Sequence, residues 1–155
     1  MNAKEYLQQV SDQACQVQIQ KNRIEMLKAI ALRVTPAYGA EPIAKSRDVT
    51  LHEMQALEII DAEEQLERMV TRLVCVRKEV TEVLKLMHNE RHREILYARY
   101  INGLSWESIG RMINRTKRAA CYKHLDALDE MEKIMQGEAF RKIHAKYAEY
   151  LAASV

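Results

Sequence analysis

The stretch Leu104-Ser105-Trp106-Glu107-Ser108-Ile109-Gly110-Arg111-Met112-Ile113-Asn114-Arg115-Thr116-Lys117-Arg118 decides the fold. Ser105 reads as a helix N-cap, because its hydroxyl can accept a backbone N–H that the first helical turn leaves unpaired. Ser108, three residues on, is too short to complete a capping box with it. Ile109 and Ile113 give a short helix, Trp106 to about Ile113, one apolar edge, and Gly110 lets a partner helix come close. Asn114-Arg115 makes a tight turn. Thr116 caps a second helix that the pattern carries from Lys117 to about Met135, where Gly137 closes it. The major groove of duplex DNA admits one α-helix while another braces it across the backbone. The phrase therefore predicts a helix-turn-helix.

Helical geometry assigns the faces of the second helix. Ala120, His124, Ala127, Leu128 and Met131 fall on one side and are expected to pack inward, whereas Arg118, Tyr122 and Leu125 point away. Arg118 is the expected base contact, since a guanidinium fork can bond guanine through two hydrogen bonds. Tyr122 could meet a base edge or a phosphate. Arg115, Lys117 and Lys123 suit phosphate, which anchors binding without specifying sequence. Arg111 would touch the backbone from the bracing helix, and Thr116 fixes the helix end that meets it. His124 reads as a packed, hydrogen-bonded core residue and Trp106 as a hydrophobic anchor.

Working outward, a helix is expected from Glu90 to Ile101, burying Ile95, Leu96 and Tyr100, with Asn102-Gly103 as its stop. Beyond Gly137, Glu138 to Ala152 places Phe140, Ile143, Tyr147 and Leu151 on one helical face. Upstream, Val10, Val17, Ile24 and Ala31 recur every seven residues, with Tyr6, Leu27 and Val34 completing a seam and Gln13 and Gln20 interrupting it. From about Val49 to Met87 the heptad is stronger: Ile59, Ala62, Leu66, Met69, Leu73, Val76, Val80, Val83 and Met87 alternate as a and d positions. Glu58, Glu63, Arg72, Arg77 and Glu79 are the expected charged edges. Residues 35–47 hold both prolines and read as a linker. The expected class is all-α: a helical hairpin or coiled-coil oligomerisation region over 1–87, a helix-turn-helix domain over 88–136, and a carboxy-terminal helix over 137–155.

The 155-residue chain has a net charge of +2, which is unremarkable until its distribution is considered. From Arg91 to His124 eight basic side chains face two acidic ones, whereas from Asp48 to Leu86 nine acidic face five basic. A basic module beside an acidic helix suits a polyanionic partner at one end. Cys15, Cys75 and Cys121 are an odd, scattered set, expected as buried apolar residues of a protein in a reducing compartment. The methionines read as core filler. No stretch resembles a signal peptide or a membrane span, so a cytoplasmic protein is expected. His88 and His92 could meet one metal ion only if they shared a helix, and no third ligand is evident. No glycine-rich phosphate loop or nucleophile elbow is present, so neither an enzyme nor a cofactor is expected.

The span from Arg93 to Met131 also resembles region 4 of the sigma-70 family of transcription initiation factors, through Ile95 to Tyr100, Leu104 to Ile109, Thr116 to Arg118, and Ala127-Leu128. It is more closely similar to phage-encoded regulators of the RinA and ArpU type, through Arg99 to Glu107 and His124 with Ala127-Leu128. Ala119-Ala120-Cys121 departs from the bulkier residues usual there, and the tail beyond Gly137 has no counterpart in sigma region 4. The resemblance implies control of late phage genes in a bacterial host, with RNA polymerase as a further contact. Two other readings fit the same pattern: a small terminase-like DNA-packaging subunit, and a helical adapter that binds protein and no DNA. A homo-oligomer formed through the amino-terminal helices fits the first two.

Overall fold

The computed structural model describes residues 1–33 and 42–154, with side chains at 1–33 and 50–154. Its regular structure is helical throughout, as the all-α reading expects: α1 (Ala3–Arg33), α2 (Pro42–Leu84), α3 (Glu90–Leu96), a π-helical turn (Tyr97–Ile101), α4 (Trp106–Met112), α5 (Lys117–Met135) and α6 (Glu138–Ala153). Among the described residues there is no strand, and no helix is long and apolar enough to cross a membrane. Val34 of the first seam and residues 35–41 of the expected linker lie outside the described residues. Residues 42–47 differ from the linker reading, since α2 already begins at Pro42. A proline in the first helical turn forfeits no intrahelical hydrogen bond and presets the helical φ.

The chain divides into two compact units, Cys15–Thr71 and Met1–Ala14 with Arg72–Val155. In the first, α1 and α2 pair antiparallel: Gln20 Nε2 donates to the Ala62 carbonyl at 2.9 Å, and Arg23 and Glu58 pair at 3.8 Å. Val17, Gln20, Ile24 and Ala62 are buried along the seam. Ile59, Leu66 and Met69 are half-buried.

In the other unit the opening turns of α1 lie on the end of α2. Tyr6, Leu7 and Val10 share a core with Val80, Val83, Leu84 and Met87, and with Leu96, Tyr100, Met131 and Phe140. Fully burying each such large side chain contributes about 1.5–3 kcal/mol. A smaller cluster joins Ile95, Ala98, Ile109, Ile113 and Ala120, with Leu104 and Trp106 against it. The expected inward residues of α3 and α5 are thus the ones buried, Leu128 being only half-buried.

Three side-chain expectations need correction. Glu79, assigned to a charged edge, is buried, and it survives there because partners surround it: the Tyr6 hydroxyl donates to Oε1 at 2.9 Å and His144 Nδ1 lies 2.7 Å away. A buried carboxylate without such partners would be strongly disfavoured. Burial first, and then the charge of Glu79, push the Tyr6 phenol far above its ordinary pKa. None of the cysteines is buried: Cys15 is exposed, lying off the seam that Val10 and Val17 define, and Cys75 and Cys121 are half-exposed. Met87 and Met131 are core, but Met26, Met54 and Met112 are exposed.

The helix expected over Glu90 to Ile101 is two elements. Asn89 caps α3, its side chain accepting from the N–H groups of Arg91 and His92. After Leu96 the turn widens, so that Asn102 N–H donates to the Tyr97 carbonyl at 3.1 Å. Gly103, at φ 68, then ends the run as expected. Glu130 of α5 ties down the start of α3, accepting from the N–H groups of His88 and Asn89 at 2.9 and 3.2 Å and pairing with His92 Nδ1 at 2.6 Å. His88 precedes α3, so it and His92 do not share a helix face, and no group of three or more metal-ligating side chains occurs among the described residues.

Candidate nucleic-acid interface

Between α4 and α5 the backbone makes a tight reversal. Ile113, expected as the last helical residue, is the C-cap of α4, and Asn114 follows at φ 55 in the left-handed region. Arg115 N–H donates to the Gly110 carbonyl at 2.8 Å and Asn114 N–H to the Arg111 carbonyl at 3.2 Å, the paired closure of a Schellman turn. Gly110 makes this possible: a Cβ there would stand 2.9 Å from the Arg115 carbonyl oxygen and 3.1 Å from Lys117 N. The close approach expected of a partner helix is thus made to the turn and the first residue of α5.

Both predicted caps are formed. Ser105 Oγ accepts from Ser108 N–H at 3.3 Å, and Thr116 Oγ1 accepts from Ala119 N–H at 3.1 Å. From that capped end α5 presents two unlike faces. Ala120, Ala127 and Met131 are wholly buried and His124 nearly so. Tyr122 and Leu125 remain 58 % and 56 % exposed, and Arg118 is exposed beside them. Arg118 Nη2 reaches the Tyr122 hydroxyl at 3.5 Å, with the guanidinium carbon 5.8 Å from the ring centroid, so the two side chains form one surface.

The seven candidate contact residues do not form a single patch. Arg111, Arg115 and Thr116 line one open depression with Asn114 and Ala119. Arg118 and Tyr122 line a different groove, together with Arg99 and Trp106. Lys117 is engaged elsewhere: its Nζ lies 2.9 Å from Glu107 Oε1, across the turn on α4. The hydrogen bond from Lys117 lowers the Glu107 pKa and the same bond raises that of Lys117, so both carry full charge at pH 7 and offset one another. Lys123 is half-buried and lines neither depression.

Behind the exposed face stands an aromatic and cationic stack. The Trp106 ring meets His124 edge-on, with centroids 4.7 Å apart, and the Arg99 guanidinium lies 4.7 Å over the indole. Trp106 therefore anchors the start of α4, as expected. His124 shares a hydrogen bond with the Tyr100 hydroxyl and is a core residue, also as expected. Arg99, one of the eight basic side chains between Arg91 and His124, is not among the expected site residues. No helical spacing announces it, because Arg99 reaches Trp106 only across the bend at Gly103. Comparison with protein-family models, with curated proteins and with solved structures returns no match.

Proposed function

We propose that this chain is a sequence-specific double-stranded DNA-binding regulator of transcription, with α4 and α5 acting as a helix-turn-helix. One observation carries the reading: a threonine-capped helix with Arg118, Tyr122 and Leu125 exposed on one side and Ala120, His124, Ala127 and Met131 buried on the other. Such a helix, fixed from behind, can enter a major groove without rearrangement. Arg118 reads the base edge, Tyr122 supports it, and Arg111, Arg115 and Thr116 face phosphate. The exposed Ile19, Met26, Ile30, Leu57 and Ile60 of α1 and α2 favour a homo-oligomer formed through those helices. Two-fold pairing would set two recognition helices on successive major grooves, roughly 34 Å apart. On the resemblance noted in Arg99 to Glu107, the regulated genes are late phage genes read in the bacterial cytoplasm, and host RNA polymerase is a second partner.

Sequencing the DNA fragments retained by the purified protein tests the reading directly. An enriched common site is expected, and Arg118→Ala should abolish discrimination between that site and random DNA in a gel shift. Recovery of fragments with no common sequence would overturn the specific reading. A ring of about eight or more chains in solution would favour a packaging subunit instead.

A further inference from the structure

Lys4 and Gln8 of α1, Arg99 of the π-helical turn, Trp106 at the start of α4, and Arg118 and Tyr122 of α5 line one groove of about 520 Å³. Three of these are cations, drawn from parts of the chain far apart in sequence, and no carboxylate lines the groove. Arg99 is held in place, its Nη1 donating to the Leu104 carbonyl at 3.0 Å while the guanidinium stacks on the indole of Trp106. Three like charges around one groove repel each other, and an anion seated among them turns that cost into attraction. The positive potential reaches the groove floor: burial first, and then the charges of Arg99 and Lys4, hold the His124 imidazole at a pKa of about 4.

A helix in the major groove lies between two sugar-phosphate backbones, so it needs cations on both flanks. The depression of Arg111, Arg115 and Thr116 serves one flank. It shares no residue with the groove of Lys4 and Arg99. Ala119, which lines the first, and Arg118, which lines the second, stand about 100° apart round α5.

We infer that the groove between α1 and α5 seats a backbone phosphate of duplex DNA, bound by Lys4 and Arg99, so that the first turn of α1 belongs to the nucleic-acid interface. This rests on the DNA-binding reading above. It adds a second phosphate anchor from a helix that the sequence assigns wholly to oligomerisation.

The test is a salt titration of binding to a fluorescein-labelled random-sequence duplex, followed by anisotropy. Each phosphate contact adds about 0.9 to the magnitude of the slope of log K against log salt. Lys4→Gln should reduce that magnitude by about 0.9, Lys4→Arg should restore it, and Lys142→Gln, whose lysine pairs with Glu138 on α6, should leave it unchanged. Lys4 is exposed, and the slope does not depend on the fraction of active protein, so a partly unfolded variant still reports. A wild-type slope that Lys4→Gln leaves intact overturns the phosphate site while DNA binding stands. A wild-type protein that binds no duplex overturns the DNA-binding reading and this site with it.

Discussion

The hydroxyl of Tyr100 and Nε2 of His124 share a 2.9 Å hydrogen bond in the core, with their rings stacked at 5.8 Å between centroids. This pair joins the π-helical turn to the inner face of α5, directly behind the exposed Arg118 and Tyr122. Burial raises the Tyr100 pKa, and burial with the charges of Arg99 and Lys4 lowers that of His124, so both rings are neutral at pH 7.

A pH dependence of stability follows from that pair. The folded His124 pKa of about 4 lies below its ordinary value of 6.5, so between these the unfolded chain binds more protons than the folded one. The contribution of His124 is therefore complete above about pH 6.5 and lost as the pH falls toward about 4. Its slope reaches at most about 1.4 kcal/mol per pH unit. Urea unfolding at a series of pH values should show this decline, and His124→Gln should remove that part of it. An unchanged slope in the variant would assign the acid sensitivity to other groups.

The two glycines around α4 should respond oppositely to asparagine. At Gly103 nothing lies within 4 Å of an added Cβ, but φ is 68, so alanine there costs about 1–2 kcal/mol and asparagine, which tolerates the left-handed region, costs less. At Gly110 the obstacle is the backbone of the turn itself, 2.9 Å away, so Gly110→Ala should cost about 1–3 kcal/mol and Gly110→Asn more. Equilibrium denaturation of the four variants checks the reversal. Equal ranking at both positions would remove the steric account of the turn.

Removing Glu107 should strengthen DNA binding. Lys117 is held by Glu107 across the turn, which cancels its charge as seen by a phosphate. Glu107→Gln should raise affinity for any duplex, leave sequence preference unaltered and steepen the salt slope by about one unit. Adding Lys117→Gln should reverse all of the gain. An affinity that drops in Glu107→Gln would mean that the ion pair organises the turn rather than silencing a lysine.

Most of the fold is legible in the sequence because its signals are local. Ser105, Thr116 and Gly103 act on their own neighbours, and the heptads of α1 and α2 repeat often enough to name their buried faces. What escaped depends on groups far apart along the chain. Glu79 looks like a surface charge until Tyr6 and His144 are brought beside it, and no spacing within α2 announces that. The same holds for the site: Arg118 and Tyr122 stand out four residues apart on one helix, whereas Lys4 enters only because α1 packs back on the rest of its unit. The ion pair of Lys117 escaped for a related reason, since its partner Glu107 is separated from it by a turn whose closure sequence patterns do not fix.

A fully hydrophobic helix pair can slide along itself by a heptad at little cost, because one apolar contact replaces another. The amide of Gln20, buried against the Ala62 carbonyl, opposes that slippage, because a shift breaks a buried hydrogen bond. The hairpin thereby gives up a little tightness in exchange for a single defined register. A chain carrying leucine at this position would melt at a higher temperature and yet sample several alignments.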